Sequence, residues 1–195
     1  MEVSLLGQSP TLLSTRLKSS NPASIPPVGK KRSRGVQLLV EEYMEKLKYY
    51  CCVEDVHLKS NPKGSRYTLD GQHYCEDDSM FLMYHSNVKA QIDAEDSVIM
   101  QQIRSEDWVI VLDEHGRDIG SEQLADLVGD GGQTGSARLA FCIGGPYGHG
   151  PQLRKRADVT IRLSSMVLNH QIALIVLLEQ LYRSWTIIKG QKYHH

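Results

Sequence analysis

Apolar and polar positions repeat along most of the chain in two rhythms, one of about 3.6 residues and one of about two, the periods of helix and strand. From Ser33 to Tyr50 the apolar residues Val36, Leu39, Val40, Tyr43, Met44 and Leu47 recur at helical spacing, with Glu41, Glu42, Glu45 and Lys48 between them. That is the mark of an amphipathic helix. Cys51 to Leu58 alternates and is rich in strand formers, so it reads as a strand. Ala90 to Arg104 reads as a helix on Ile92, Val98, Ile99 and Ile103. Beyond it the two rhythms alternate. Trp108 to Leu112 is a buried-type strand, Ser121 to Val128 a helix with Glu122 in its first turn, and Ala137 to Ile143 a second strand. Val159 to Leu163 is a third, and Gln171 to Ile188 a long helix. Strands alternating with helices predict an α/β fold: a mostly parallel sheet with helices on both faces.

Two stretches break the rhythm. Asn61 to about Lys89 has turn residues, scattered aromatics and no clean period, which predicts a long loop or an insertion. Residues 1 to about 35 are rich in Ser and Pro, and they carry Arg16, Lys18, Lys30, Lys31, Arg32 and Arg34 against Glu2 alone as an acid. A basic, Ser-rich, acid-poor start is the composition of an organelle transit peptide, with a plain disordered tail as the alternative. Ser outweighs Arg, which places the chloroplast ahead of the mitochondrion. The expected organisation is therefore a tail over 1–35 and one domain over 36–195.

Composition narrows the function classes. Hydrophobic residues make up 41% and charged residues 23%, as in an ordinary packed domain. The longest apolar run, Ile172 to Leu178, is far shorter than the roughly 18 residues of a membrane span, so no membrane partner is expected. A net charge of −1 gives no global field for nucleic acid; any RNA contact must come from local basic clusters. Cys51, Cys52, Cys75 and Cys142 lack metal-ligand or disulfide-framework spacing and are expected reduced, without a metal. His57, His73, His85 and His115 show no ligand spacing either; His149 adjoins a glycine loop, where a histidine is usually solvated.

The candidate chemistry lies in the last third. Gly144-Gly145-Pro146-Tyr147-Gly148 follows a predicted strand, and ligands in such sheets sit at the carboxyl ends of strands. The loop is neither GxGxxG nor a P-loop, which argues against nicotinamide and nucleoside-triphosphate chemistry. Leu163 to His170 then runs from a strand end to a helix start, with Asn169 placed as N-cap. The following helix carries Ile172, Ile175, Val176, Leu178, Leu181, Tyr182 and Trp185, too many apolar residues for one face. One side is read as core and another as a partner surface, with Glu179 and Arg183 paired at i,i+4. The chain ends Gly190-Gln191-Lys192-Tyr193-His194-His195.

In this order, Phe141 to Gly148, Leu163 to His170, Glu179 to Trp185 and the Tyr193-His194 ending resemble the RlmH family of SPOUT-class methyltransferases. The resemblance covers about Val28 to His195 apart from about 65–89. It implies a SPOUT α/β-knot with a deep trefoil knot, and a homodimer whose active sites are each built by two chains. It implies transfer of a methyl group from S-adenosylmethionine to N3 of a pseudouridine in large-subunit rRNA, free or in the assembled ribosome. Carried over by position, cofactor contacts fall on Leu112, Gly144, Gly145, Ser165, Met166, Val167, Leu168, Asn169 and His170. His194 takes the role of base or ring-orienting group, and Tyr193 stacks on or hydrogen-bonds to the target base. Arg154, Lys155, Arg156, Lys189, Lys192 and His195 are the candidates for RNA phosphates.

The chain departs from the family in three places. Members begin with an apolar strand leading into a Val-Gly-Lys turn; here Val28-Gly29-Lys30 follows Ser24-Ile25-Pro26-Pro27, and two prolines cannot donate to a sheet ladder. A sheet lacking its first strand, and less stable for it, is therefore expected. Tyr147 replaces a frequent acidic residue, and His195 stands where Arg or Lys is usual. These departures favour, as the alternative, a catalytically silent RNA- or ribosome-binding relative; an unrelated flavodoxin-like binding domain, which absence of the knot would support, is a third reading.

Overall fold

The computed structural model describes residues 11–17, 32–57, 78–133, 138–145 and 147–192. In chain order the elements are β1 (Thr11–Leu17), α1 (Arg34–Leu47), β2 (Cys51–His57), α2 (Asp78–Gln102), β3 (Asp107–Asp118), α3 (Ser121–Gln133), β4 (Arg138–Ile143), α4 (Pro151–Arg156), β5 (Val159–Arg162) and α5 (His170–Ile188). The strands form one sheet in the order β2-β1-β4-β3-β5. β3 pairs in parallel with both β4 and β5, while β1 runs antiparallel to both β2 and β4. Four strands thus share a direction and β1 opposes them. The expected α/β sheet with helices on both faces is observed.

Period-two alternation sorts the strand side chains into two cores. Leu13, Ile110, Leu112, Leu139, Phe141, Ile143 and Ile161 face α1, α3 and α5, where Val40, Leu124, Leu174, Leu178 and Leu181 meet them. Leu12, Val109, Val111, Ala140 and Cys142 face the other way, onto Ile99 of α2 and Leu153 of α4. α5 is therefore core along one side, as its pattern predicts, yet Ile172, Ile187 and Ile188 stay exposed. Two helix starts are capped by the side chain of the residue just before them: Ser33 Oγ accepts from the N–H of Val36, and Asn169 Oδ1 from that of Gln171 at 2.9 Å. Arg138 Nε donates to buried Asp107 at 3.0 Å and its Nη2 to the Gln102 carbonyl at 2.8 Å, joining the starts of β3 and β4 to the end of α2.

The first 35 residues do not lie wholly outside the fold, and the sheet does not lack a first strand. Thr11–Leu17 lies inside the sheet between β2 and β4, with Leu12 and Leu13 fully buried on opposite faces. A slot between β2 and β4 leaves two rows of backbone groups unpaired, and any segment with strand-forming residues gains by filling it. The stretch Thr11-Leu12-Leu13-Ser14-Thr15 has them; the Ser- and Pro-rich composition around it concealed the pattern. Pro26, Pro27 and the Val28-Gly29-Lys30 turn lie outside the described residues. The expected loop or insertion at about 65–89 is also shorter than the sequence suggested, because α2 begins at Asp78. Consecutive apolar residues Met80 to Tyr84 blur the helical period there.

β3 continues six residues past the expected end at Leu112. It pairs with β5 at Ile110–Leu112, leaves the ladder, and rejoins it at Arg117 and Asp118 opposite Ile161 and Arg162. Asp113 to Gly116 form the excursion between. A Cβ on Gly116 would run into the Ile161 backbone, so this return requires glycine.

Candidate functional site

The carboxyl ends of β4 and β5, with β3 where it leaves its ladder with β5, surround a cavity of about 480 Å³. That volume lies within the roughly 300–1,000 Å³ typical of small-ligand sites. Its wall is formed by Leu112 to His115 within β3, Ile143 to His149 from the end of β4 (Pro146 lies outside the described residues), and Arg162 to Ala173 apart from Ser165, Gln171 and Ile172. This is the edge where a parallel sheet places ligands, because its loops diverge there and leave backbone groups free.

The glycine loop is shaped by close backbone approach. Gly148 N–H donates to the Gly145 carbonyl at 3.1 Å, Gly148 has φ +80°, and a Cβ on Gly144 would stand 3.1 Å from the Gly148 backbone. Side chains at these positions would be strained or would push the turn open. Two buried histidines tie the loop to its neighbours. His149 Nε2 donates to the Leu112 carbonyl at 2.8 Å, and His170 Nδ1 to the Gly144 carbonyl at 3.1 Å. Burial holds the His149 ring below its ordinary pKa against the opposing pull of the Leu112 carbonyl and Asp113, so it is neutral at physiological pH. His149 is thus buried rather than solvated.

The cavity is held open by a short polar chain. The Asp113 carboxylate accepts from the His115 N–H at 3.0 Å and from Arg154 Nη2 at 2.7 Å. Burial pushes this carboxyl up, but the His115 N–H, the Arg154 guanidinium and the His115 ring together hold it below its ordinary value. Arg154 Nε also donates to the His149 carbonyl at 3.1 Å. α4, which carries Arg154, is fixed from α2: buried Asp96 accepts from the N–H groups of Gln152 and Leu153 at 2.8 and 2.9 Å. A Cβ on Gly150 would collide with that carboxylate.

Most residues assigned to the cofactor meet here. Leu112, Gly144, Gly145, Met166, Val167, Leu168, Asn169 and His170 all line the cavity, whereas Ser165 is exposed and does not. Among the basic candidates Arg154 lines the cavity and Lys155, Lys189 and Lys192 are exposed. Arg156 is committed elsewhere, to Asp158 at 3.0 Å and to the Asp107 carbonyl at 2.6 Å, where it closes the seam between β3 and α4. Tyr193, His194 and His195 lie outside the described residues. The chain leading to them is anchored, with Tyr50 Oη donating to Gln191 Oε1 at 2.5 Å and Gln191 N–H to the Thr186 carbonyl. The sequence reading gave no role to Asp113, Glu114 or Arg162. Their shared signal is position: each falls just past, or at, the end of a buried apolar run, Trp108 to Leu112 or Val159 to Ile161.

Among the described residues no three His, Cys, Asp or Glu side chains converge as a metal site, and no helix is long and apolar enough to cross a membrane. An α/β sheet with a glycine-lined cavity at its carboxyl edge, closed by a loop running into a capped helix, defines a small-ligand-binding α/β protein. Comparison with known proteins narrows the class. The family model described as "Predicted SPOUT methyltransferase" matches residues 23–194. An Arabidopsis thaliana protein provisionally named an RNA methyltransferase is 57% identical over 174 residues, covering 89% of this chain and 80% of its own. Proteins named ribosomal RNA large subunit methyltransferase H are similar as well. That of Cytophaga hutchinsonii is 35% identical, covering 72% of this chain and 92% of its own. That of Clostridium kluyveri is 32% identical, covering 86% and 95%. The chain belongs to the SPOUT methyltransferase family and groups there with the relatives named ribosomal RNA large subunit methyltransferase H.

Proposed function

We propose that this protein transfers a methyl group from S-adenosylmethionine to N3 of a pseudouridine in large-subunit rRNA. The observation that carries the reading is the cavity itself. Two segments that the family resemblance assigns to the cofactor, Gly144-Gly145 and Met166 to His170, form its walls although about twenty residues separate them in the chain.

The residues present fit this cofactor. The volume suits a nucleoside with an amino-acid arm, apolar walls from Leu112, Ile143, Leu163 and Leu168 suit an adenine ring, and glycines admit close backbone contact. When bound, S-adenosylmethionine supplies an electrophilic methyl group on a sulfonium. His149 and His170 hold the Leu112 and Gly144 carbonyls in fixed directions, so the walls are set before the ligand enters. In this reading Tyr193 and His194 close over the cavity. His194 accepts the N3 proton of the uracil ring or orients that ring, a contribution of roughly 10²–10⁴-fold to rate for general-base assistance. Lys155 and Lys192, both exposed, and His195 take RNA phosphates.

The reading includes a trefoil-knotted 163–170 segment and a homodimer in which one chain's tail completes its partner's site. The exposed apolar residues Met166, Val167, Ile172, Ile187 and Ile188 supply surface for that association. It also includes delivery to the chloroplast, with the mitochondrion as the alternative. Calorimetric titration with S-adenosylmethionine and S-adenosylhomocysteine tests the cofactor assignment. Micromolar binding, lost in Gly145→Arg, supports it; absence of binding by folded protein refutes it.

A further inference from the structure

Two arginines line the cavity, and they differ in how far the protein has used them. Arg154 is committed to a buried carboxylate and a carbonyl. Arg162, at the end of β5, has one ion-pair partner among the described residues, the well-exposed carboxylate of Asp118 at 3.2 Å. Its Nε–H is buried and has no partner among the described residues. A buried donor left unsatisfied is unfavourable, and exposed ion pairs hold weakly, so this guanidinium has donors to offer a ligand. A planar guanidinium with free N–H groups matches a carboxylate in two-pronged geometry.

We infer that Arg162 is the oxyanion-binding residue of the cavity and takes the carboxylate of the cofactor's amino-acid arm. This rests on the cofactor reading above. S-Adenosylmethionine carries one anionic group, that carboxylate, and the rest of its charge is positive. Asp113, the buried carboxylate of the cavity, is already neutralised by Arg154, so it does not compete for Arg162. A backbone phosphate of RNA is the other source of anionic oxygen. It is disfavoured because Arg162 stands in the cavity wall with its Nε shielded from solvent.

The test compares two nucleosides, S-adenosylhomocysteine and 5′-methylthioadenosine, which lacks the amino-acid arm. Both are titrated calorimetrically into wild type, Arg162→Gln, Arg162→Lys and Asp118→Asn. Arg162→Gln should weaken S-adenosylhomocysteine about tenfold or more, the scale of a lost charged hydrogen bond, and leave methylthioadenosine unchanged. Arg162→Lys should restore part of the loss. Asp118→Asn, which frees Arg162 from its exposed partner, should tighten S-adenosylhomocysteine alone. Equal weakening of both nucleosides, or no weakening of either, overturns the inference. So does a loss confined to rRNA affinity, which would make the anion a phosphate. A folded wild type that binds neither nucleoside instead overturns the cofactor reading on which the inference stands.

Discussion

Removing the Asp96 carboxylate should destabilise the fold and loosen the site together. Asp96 is almost fully buried on α2 and accepts two backbone N–H groups at the start of α4, 2.8 and 2.9 Å away. In Asp96→Ala the Leu153 N–H loses its partner in a buried setting, while the half-buried Gln152 N–H can turn to water. Hydrogen bonds to a charged acceptor contribute about 1.5–3 kcal/mol each, so one bond lost outright and one partly replaced gives about 2–4 kcal/mol. For a domain of this size that is roughly 5–15 °C in Tm. Urea unfolding followed by circular dichroism measures it, and Asp96→Asn, which keeps one acceptor oxygen, should lose about half as much. α4 carries Arg154 and follows His149, so Asp96→Ala should also weaken S-adenosylhomocysteine binding in calorimetry. An unfolding free energy within about 0.5 kcal/mol of wild type, the usual range for neutral surface changes, would refute the capping argument. Lost stability with unchanged binding would refute only the link from α4 to the site.

Four further outcomes follow from the same structure. Leu13→Ala in β1 should cost about 2–5 kcal/mol in chemical unfolding, as for other fully buried leucines; a wild-type midpoint would mean that Thr11–Leu17 is not part of the sheet. If the chain is processed on import, N-terminal sequencing of the mature protein should find Thr11 retained, since cleavage after Leu17 would remove the strand that joins β2 to β4. His149 has a folded pKa below its ordinary value of 6.5, so the unfolded chain binds its proton more readily. Stability should be full above that pH and decline as pH falls below it toward the depressed folded value, and His149→Gln should flatten this slope in melts between pH 7 and 5. Burial pushes the Cys51 and Cys142 thiols up to about 12, so iodoacetamide at pH 8 should leave both unlabelled in native protein, and peptide mapping that finds either alkylated would contradict the packing.

How much of this was legible beforehand depends on how local each feature is. β3, β4 and β5 announce themselves as short apolar runs, and α5 by its long periodic pattern and Asn169 cap. The cofactor walls at Gly144-Gly145 and Met166 to His170 were readable because the motifs are contiguous. β1 was not readable: its strand character occupies seven residues inside a Ser-rich, basic segment, and its partners lie about forty and one hundred and thirty positions away. Neither was the start of α2, where a block of adjacent apolar residues hides the period. Asp96 as a cap for α4, Asp113 as the anchor of Arg154, and Arg162 in the cavity wall all depend on contacts across the sheet. Arg156 misled because a basic residue in a short helix looks like a phosphate ligand until its guanidinium is seen bonded to backbone carbonyls.

The central claim is methyl transfer to a pseudouridine, and the most direct measurement is product analysis. Wild type and His194→Ala would be incubated with labelled S-adenosylmethionine and either purified large-subunit rRNA or whole ribosomes, and the RNA digested to nucleosides for mass spectrometry. The account predicts labelled N3-methylpseudouridine from wild type, with turnover far lower in His194→Ala while cofactor affinity is little changed. Cofactor binding by wild type with no methylated nucleoside from either substrate would contradict it and leave a catalytically silent relative of the same fold.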